Sequence, residues 1–442
     1  MNKKLFDTLL LGFALFAIFF GAGNLIFPPT IGLVSGTNWV SALVGFSVTG
    51  IILPLLAVVA VIYASGKFEN LTKPIAPWFH KVFNLSLMVG VGVFVTIPRM
   101  AATTHELGVQ TFSADIPLVV TIVIFFAICF YFAMDQSNVI DKIGKILTPL
   151  LVIILLFIVG KGIFDPIGAP VKTELPNPFS NAFINAYQTG DVITGFFCAP
   201  IFIAAIMGHG YKGTEMKKVA LRGTIIAGAG LLVVYGGLLY LGAAGSSMFP
   251  TDIDQTVLVS ELIHLLLGDS GTLLLAIAIA LACLTSAIGV IAVIAEFISD
   301  MTKNKLKYRY AVLLICIVSA AIGSLGVEQI INYTIWIFSA LYPVAIVLVF
   351  LGLFRNFIPN QGAYRGTILF TFMIAFVETM ASLGFSIPGA QMIAALPLAG
   401  NGFAWLVPAI VGFILGGLVN RSTPEENKEE NPSSTKEAAE DV

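Results

Sequence analysis

Phe19 to Gly32 reads FFGAGNLIFPPTIG and lies inside a long apolar run. Two glycines, an asparagine and two consecutive prolines interrupt what would otherwise be a smooth membrane helix. Glycine takes backbone angles that other residues avoid, and proline has no N–H to give to a helix. The chain is therefore expected to unwind around Gly21, Gly23, Pro28 and Pro29. In hydrocarbon, free N–H and C=O groups are tolerated only where they line a cavity or meet a ligand. The chemistry on offer is electrostatic: the start of a half-helix attracts an anion, and free carbonyls attract a cation. The alternative for such a string is a kink that serves packing alone.

A second break follows in NAYQTGDVITGFFCAPIF, where Thr189, Gly190, Asp191, Thr194, Gly195 and Pro200 interrupt another apolar run. A carboxylate near mid-membrane costs about 2.5–3.5 kcal/mol on insertion scales. Asp191 either caps the free N–H groups of the following half-helix or contacts what binds there. Further on, ALACLTSAIGVIAVIAEF places Thr285 and Ser286 together at mid-run. Such hydroxyls either bond back to the preceding turn or supply oxygen ligands to a hard cation such as sodium.

Arg99 and Glu106 are seven residues apart, two turns along one face of a regular helix. They read as an ion pair near the outer end of their helix, or as an outer gate or substrate contact. Glu296 reads as a helix-end carboxylate reaching water or as part of an ion path. Glu378 reads as a packing or oligomer contact, and Tyr342-Pro343 as a kink. Cys129, Cys198, Cys283 and Cys316 lie singly in apolar runs, which reads as four buried thiols. No nucleophile–base set, metal-ligand spacing or cofactor motif stands out, so neither an enzyme nor a bound cofactor is expected.

The elements that hold these residues follow from composition. The 442 residues are 57% hydrophobic and 11% charged, with mean hydropathy +0.95. A soluble domain this apolar could not cover its own surface, so the class is integral membrane. The net charge of -2 gives no reason to expect nucleic acid. Runs of roughly 20 apolar residues cross the bilayer, and that measure yields about twelve spans: 5–34, 40–65, 82–106, 116–134, 145–163, 182–208, 218–244, 271–299, 309–326, 329–354, 364–386 and 402–420. They lack alternation, so they are helices and the fold class is all-α. With a cytoplasmic N-terminus, 20 of the 23 Lys and Arg residues fall on the cytoplasmic side, as the positive-inside rule requires. Both termini are then cytoplasmic.

Spans one and six, the broken ones, open two five-helix sets, 1–163 and 182–354, that enter the membrane from opposite sides. Paired broken helices in an inverted repeat mark the binding site of a secondary transporter. A proline-rich outer loop (164–181) joins the sets, an outer-face helix is expected near 255–267, and spans eleven and twelve (355–420) are additional. The polar tail, 421–442, reads as disordered.

Phe20-Gly21-Ala22-Gly23-Asn24-Leu25-Ile26-Phe27-Pro28-Pro29 resembles the opening signature of the branched-chain amino acid carrier family, often called BrnQ or LIVCS. Span six is similar to that family's Gly-Tyr-x-Thr-Met-Asp pattern, with Ala186 and Gly190 replacing its glycine and methionine. Ile97-Pro98-Arg99 with Glu106 also resembles a family segment. The resemblance implies a transporter of the LeuT-type fold, importing leucine, isoleucine and valine through a cell membrane by alternating access. Leu284-Thr285-Ser286 is similar to the sodium-binding stretch of span eight in such proteins. Carried over, the ion's ligands would be the carbonyls of Ala17, Phe20 and Ala282 with the hydroxyls of Thr285 and Ser286. A substrate would meet Gly21, Ala22, Gly23 and Asn24 on span one, and Thr189, Gly190, Asp191, Thr194, Phe196 and Phe197 on span six. The coupling ion is then Na+ or, alternatively, H+, and a non-transporting amino-acid sensor on the same fold is the remaining reading.

Overall fold

A computed structural model describes residues 3–419 except 77, 111–112, 114, 135–138 and 388. The expected disordered tail lies outside the described residues. Every regular element among them is helical. Span one is two helices, α1 (Lys3–Phe19) and α2 (Ala22–Ser35), parted at Phe20-Gly21. Span two is α3 (Trp39–Ser47) and α4 (Leu53–Tyr63), joined by a π-helical turn, Val48–Ile52. Span three runs through α5 (Phe79–Leu85), a π-helical stretch (Ser86–Thr96), α6 (Ile97–Thr103) and a second π-helical stretch (Thr104–Val109). Then come α7 (Leu118–Ala133) and α8 (Val139–Phe164). Span six is broken into α9 (Pro178–Asn185), a 3-10 turn (Ala186–Thr189) and α10 (Asp191–Gly208). The rest is α11 (Gly213–Ala244), α12 (Gln255–Met301), α13 (Tyr308–Gly323), α14 (Val327–Leu353), α15 (Gln361–Ser382) and α16 (Leu406–Val419).

Six described segments are long and apolar enough to cross a bilayer: Ala22–Tyr63, Phe79–Val109, Asp191–Gly208, Gly213–Ser247, Gln255–Met301 and Val327–Leu353. Shorter apolar helices stand beside them. All four cysteines are buried and unbridged.

Small residues set how closely the helices approach. A Cβ on Gly32 of α2 would fall 1.8 Å from the Leu239 carbonyl oxygen of α11, and one on Gly242 of α11 would fall 1.8 Å from the Pro29 carbonyl oxygen. The two backbones touch there, where lipid supplies no hydrophobic drive and contact distance governs association. Asp254 caps α12, its Oδ1 accepting from the Thr256 and Val257 N–H groups at 2.9 Å each. At Gly268 (φ 65°) α12 leaves helical geometry, which divides an initial segment from the long apolar part. Leu258 and Leu262 of the initial segment bury against Leu33 at the end of α2. On the face that carries the N-terminus, Lys4 of α1 pairs with Glu215 of α11, and the Tyr211 hydroxyl donates to Asp7 at 2.9 Å.

Candidate functional site

The two breaks meet, because α2 lies against the 3-10 turn of span six. Gly21 is extended (φ -119°, ψ -170°), and its N–H donates to Asn24 Oδ1 at 3.1 Å. The same side chain reaches across the crossing: Asn24 Nδ2 donates to Asp191 Oδ2 at 2.6 Å and to the Tyr235 hydroxyl of α11. Asn24 and Asp191 are each 2% exposed. Asp191 does not cap α10; the turn is held instead by Thr189, whose hydroxyl donates to the Ala186 carbonyl at 2.9 Å and accepts from the Asp191 N–H at 3.3 Å. Gly190 takes the left-handed conformation (φ 74°) that the turn requires. Thr194 donates back to the Gly190 carbonyl at 3.2 Å. The first N–H groups of α2, at Ala22 and Gly23, lie ahead of its hydrogen-bond ladder, as in any helix start.

The structure corrects the Arg99–Glu106 pairing. Arg99 turns into the crossing: its Nη1 donates to the Gln188 carbonyl at 2.7 Å, its guanidinium stacks over Phe27 at 5.4 Å, and its Nη2 lies 2.9 Å from where a Cβ on Gly23 would stand. Glu106 instead accepts from the Thr256 hydroxyl of α12 and from the Val327 N–H of α14, at 2.9 Å each. It joins two helix starts and does not reach Arg99. The reason is local. The π-helical stretch begins at Thr104, between the two residues, and an i→i+5 turn holds an extra residue, which rotates everything beyond it off the regular helical face.

Phe196 and Phe197 both pack on Phe68, with ring centroids 4.7 and 5.8 Å away. The rings at the breaks are others. Phe20 packs on Tyr235. Phe338 lies 3.5 Å from the Cβ position of Gly190. The Tyr342 hydroxyl accepts from the Val192 N–H at 3.1 Å. Tyr235, Phe338 and Gln188 were not singled out from the sequence, and Tyr342 was read only as part of a kink. The signal for the tyrosines is a lone phenol in an apolar span, whose hydroxyl needs a partner when buried.

The oxygens expected around a cation come from α12 and from the end of the first half of span one. Thr285 Oγ1 donates to the Ala282 carbonyl at 2.9 Å, so two of them are already adjacent, and Ser286 follows on the same turn. Ala17 lies in the last turn of α1 and Phe20 just beyond it; α1 packs on α11, α10 and α8, and α12 packs on α8, α13, α2, α6 and α7. Helix α8 is the neighbour common to both. Glu296 is exposed near the end of α12.

The described residues form an all-helical bundle in which two broken helices meet at a buried polar crossing. It is the LeuT-type transporter fold: the inward-facing structure of the nucleobase-cation-symport-1 family transporter Mhp1 superposes with a TM-score of 0.63, covering 93% of this chain and 90% of that one at 13% identity. The family is narrower. A family model described as branched-chain amino acid transport protein matches residues 4–423. The branched-chain amino acid permease BraB of Bacillus subtilis is 32% identical over 93% of this chain and 94% of its own. The branched-chain amino acid transport system 2 carrier protein of Pseudomonas aeruginosa is 31% identical over 95% and 97%. This chain belongs to the branched-chain amino acid transport protein family. It is a multi-pass membrane transport protein and not an enzyme.

Proposed function

We propose that the protein is a twelve-span symporter that imports leucine, isoleucine and valine across a cell membrane, driven by Na+, with both termini cytoplasmic. The observation that carries this reading is the crossing itself, where a buried guanidinium, Arg99, and a buried carboxyl group, Asp191, both bond to the broken turns, Arg99 to the Gln188 carbonyl and Asp191 to Asn24. A neutral zwitterion complements such a pair. Its carboxylate would sit at the start of α2, on the Ala22 and Gly23 N–H groups with Arg99 beside them. Its ammonium would face Asp191 and the freed carbonyls of span six. Phe20 and Phe338 would take the aliphatic side chain.

The carbonyls of Ala17, Phe20 and Ala282 with the hydroxyls of Thr285 and Ser286 form an all-oxygen set suited to sodium. An ion there would tie span one to span eight and favour one face of the alternating-access cycle. The energetics suffice: one cation moving down 100 mV releases about 2.3 kcal/mol, enough for roughly 40-fold accumulation of a neutral substrate. Proton coupling is the second reading, favoured by Asp191 as a buried carboxylate at the crossing.

The test is uptake of labelled leucine into proteoliposomes under an inward sodium gradient, repeated with choline and with a pH gradient alone. Sodium-driven accumulation that Thr285→Ala lowers at least ten-fold supports the reading. Equal uptake driven by pH alone removes sodium from the mechanism. Binding without accumulation makes the protein a sensor.

A further inference from the structure

Away from the crossing, α1 and α11 run toward the face that carries the N-terminus and touch at two glycines. A Cβ on Gly12 would stand 2.8 Å from the Ile226 Cβ and 3.1 Å from the Gly223 carbonyl oxygen. Beside that contact a groove of about 310 Å³ opens between the helices, lined by Lys4, Leu5 and Thr8 of α1 and by Arg222, Ile225 and Ile226 of α11. Leu5 and Ile225 are 53% and 63% exposed, so the groove opens outward, where a membrane-spanning chain meets lipid. Its charged groups are all basic. Lys4 pairs with Glu215, which Lys218 also approaches, at 3.6 Å, so two lysines share one acid. Arg222 is exposed and makes no hydrogen bond or ion pair among the described residues. The Thr8 hydroxyl is taken up by the Lys4 carbonyl, at 2.6 Å. Asp7, the one acid of α1, does not line the groove; its carboxylate accepts from the Tyr211 hydroxyl.

We propose that this groove binds an anionic phospholipid. The Arg222 guanidinium takes the phosphate, with the Lys4 ammonium beside it, and one acyl chain lies along Leu5, Ile225 and Ile226. A long basic side chain keeps its apolar stem on an apolar wall while its head reaches the headgroup level, and basic pockets between membrane helices recognise anionic headgroups. A zwitterionic lipid would bring a cationic group to the same place along with its phosphate, and so gains less. A free phosphate would meet the charges and leave the apolar wall without a partner. Helix α1 is the half of span one that ends at the Phe20-Gly21 break. The lipid would therefore fasten that half to α11 without touching Asn24, Arg99 or Asp191.

The experiment is native mass spectrometry of the full chain in detergent, titrated with dioleoylphosphatidylglycerol or with dioleoylphosphatidylcholine. A basic group beside an anionic headgroup contributes a factor of about five, so with Lys4 and Arg222 the wild type should hold one phosphatidylglycerol roughly 25-fold more tightly than phosphatidylcholine. Arg222→Gln should cut that preference about five-fold. Ile225→Trp, which fills the groove without changing its charge, should weaken phosphatidylglycerol binding at least as much. Arg309→Gln, at an exposed arginine of α13, should leave it unchanged. Equal binding of the two lipids overturns the proposal. So does a preference that neither Arg222→Gln nor Ile225→Trp lowers, or one that Arg309→Gln lowers equally. Displacement of the lipid by inorganic phosphate would make the groove a site for free anions and also overturn it. If Arg222→Gln fails to fold, Ile225→Trp decides alone.

Discussion

Gly21 and Gly23 are two residues apart in the same broken turn, yet the structure predicts opposite outcomes for the same substitution. In Gly23→Ala the new methyl would stand 2.9 Å from Arg99 Nη2, 3.2 Å from its Cζ and 3.2 Å from Phe27 Cε2. Arg99 is 2% exposed and has little room to yield, so its hydrogen bond to the Gln188 carbonyl must stretch or break. A hydrogen bond involving a charged group contributes ~1.5–3 kcal/mol, which converts to a roughly 10- to 150-fold loss in leucine affinity. In Gly21→Ala the methyl would meet Met100 Cε at 3.5 Å and Asn24 Oδ1 at 3.6 Å, ordinary contacts. The φ of -119° is open to any residue. That variant should bind leucine within about three-fold of wild type, a change worth under ~0.7 kcal/mol. The assay is equilibrium binding of labelled leucine to purified protein, with thermal melting alongside. If Gly21→Ala is as damaging as Gly23→Ala, or if Gly23→Ala binds normally, Arg99 does not organise the crossing. If Gly23→Ala melts early but binds normally once folded, Arg99 serves the fold alone.

The other predictions concern the neighbouring contacts. Asn24→Ala removes the bridge between the breaks and leaves the Asp191 carboxylate and the Tyr235 hydroxyl short of a partner; it should cost ~1–3 kcal/mol per unsatisfied group, read as a lower melting temperature, and abolish uptake. Glu106→Gln weakens the joint between the starts of α12 and α14. It should lower stability by ~1–2 kcal/mol while leaving leucine affinity within about two-fold, a change below ~0.5 kcal/mol; a large affinity loss would restore Glu106 to the site. Gly32→Ala drives a methyl to 1.8 Å from the Leu239 carbonyl oxygen, so α2 and α11 must separate. Destabilisation above ~4 kcal/mol is expected, seen as loss of monodisperse protein on gel filtration.

Much of this was legible because each feature has a local cause. Glycine and proline at Gly21, Gly23, Pro28 and Pro29 announce a backbone that leaves regular helix wherever it is folded. Asp191 announces a polar centre, because a carboxylate in an apolar run needs partners. The Arg99–Glu106 ion pair does not form because the seven-residue rule assumes a constant pitch, and the π-helical stretch after Thr103 changes it. Whether Asp191 capped its own helix or reached another was open from sequence, since both uses need the same residue at the same place.

The sequence alone determined the apolar helices, the two breaks, the chemistry available at each and, through the Phe20–Pro29 string, the family. These are properties of short stretches, fixed by backbone sterics and by the cost of bare polar groups in lipid. The tertiary structure decided who partners whom: Asn24 with Asp191 and Tyr235, Arg99 with Gln188, and Glu106 with two helix starts. Those pairs come from residues up to 221 apart in the chain. Their contact depends on how glycine faces let helices approach and how π-turns rotate them, and no short window of sequence contains that information.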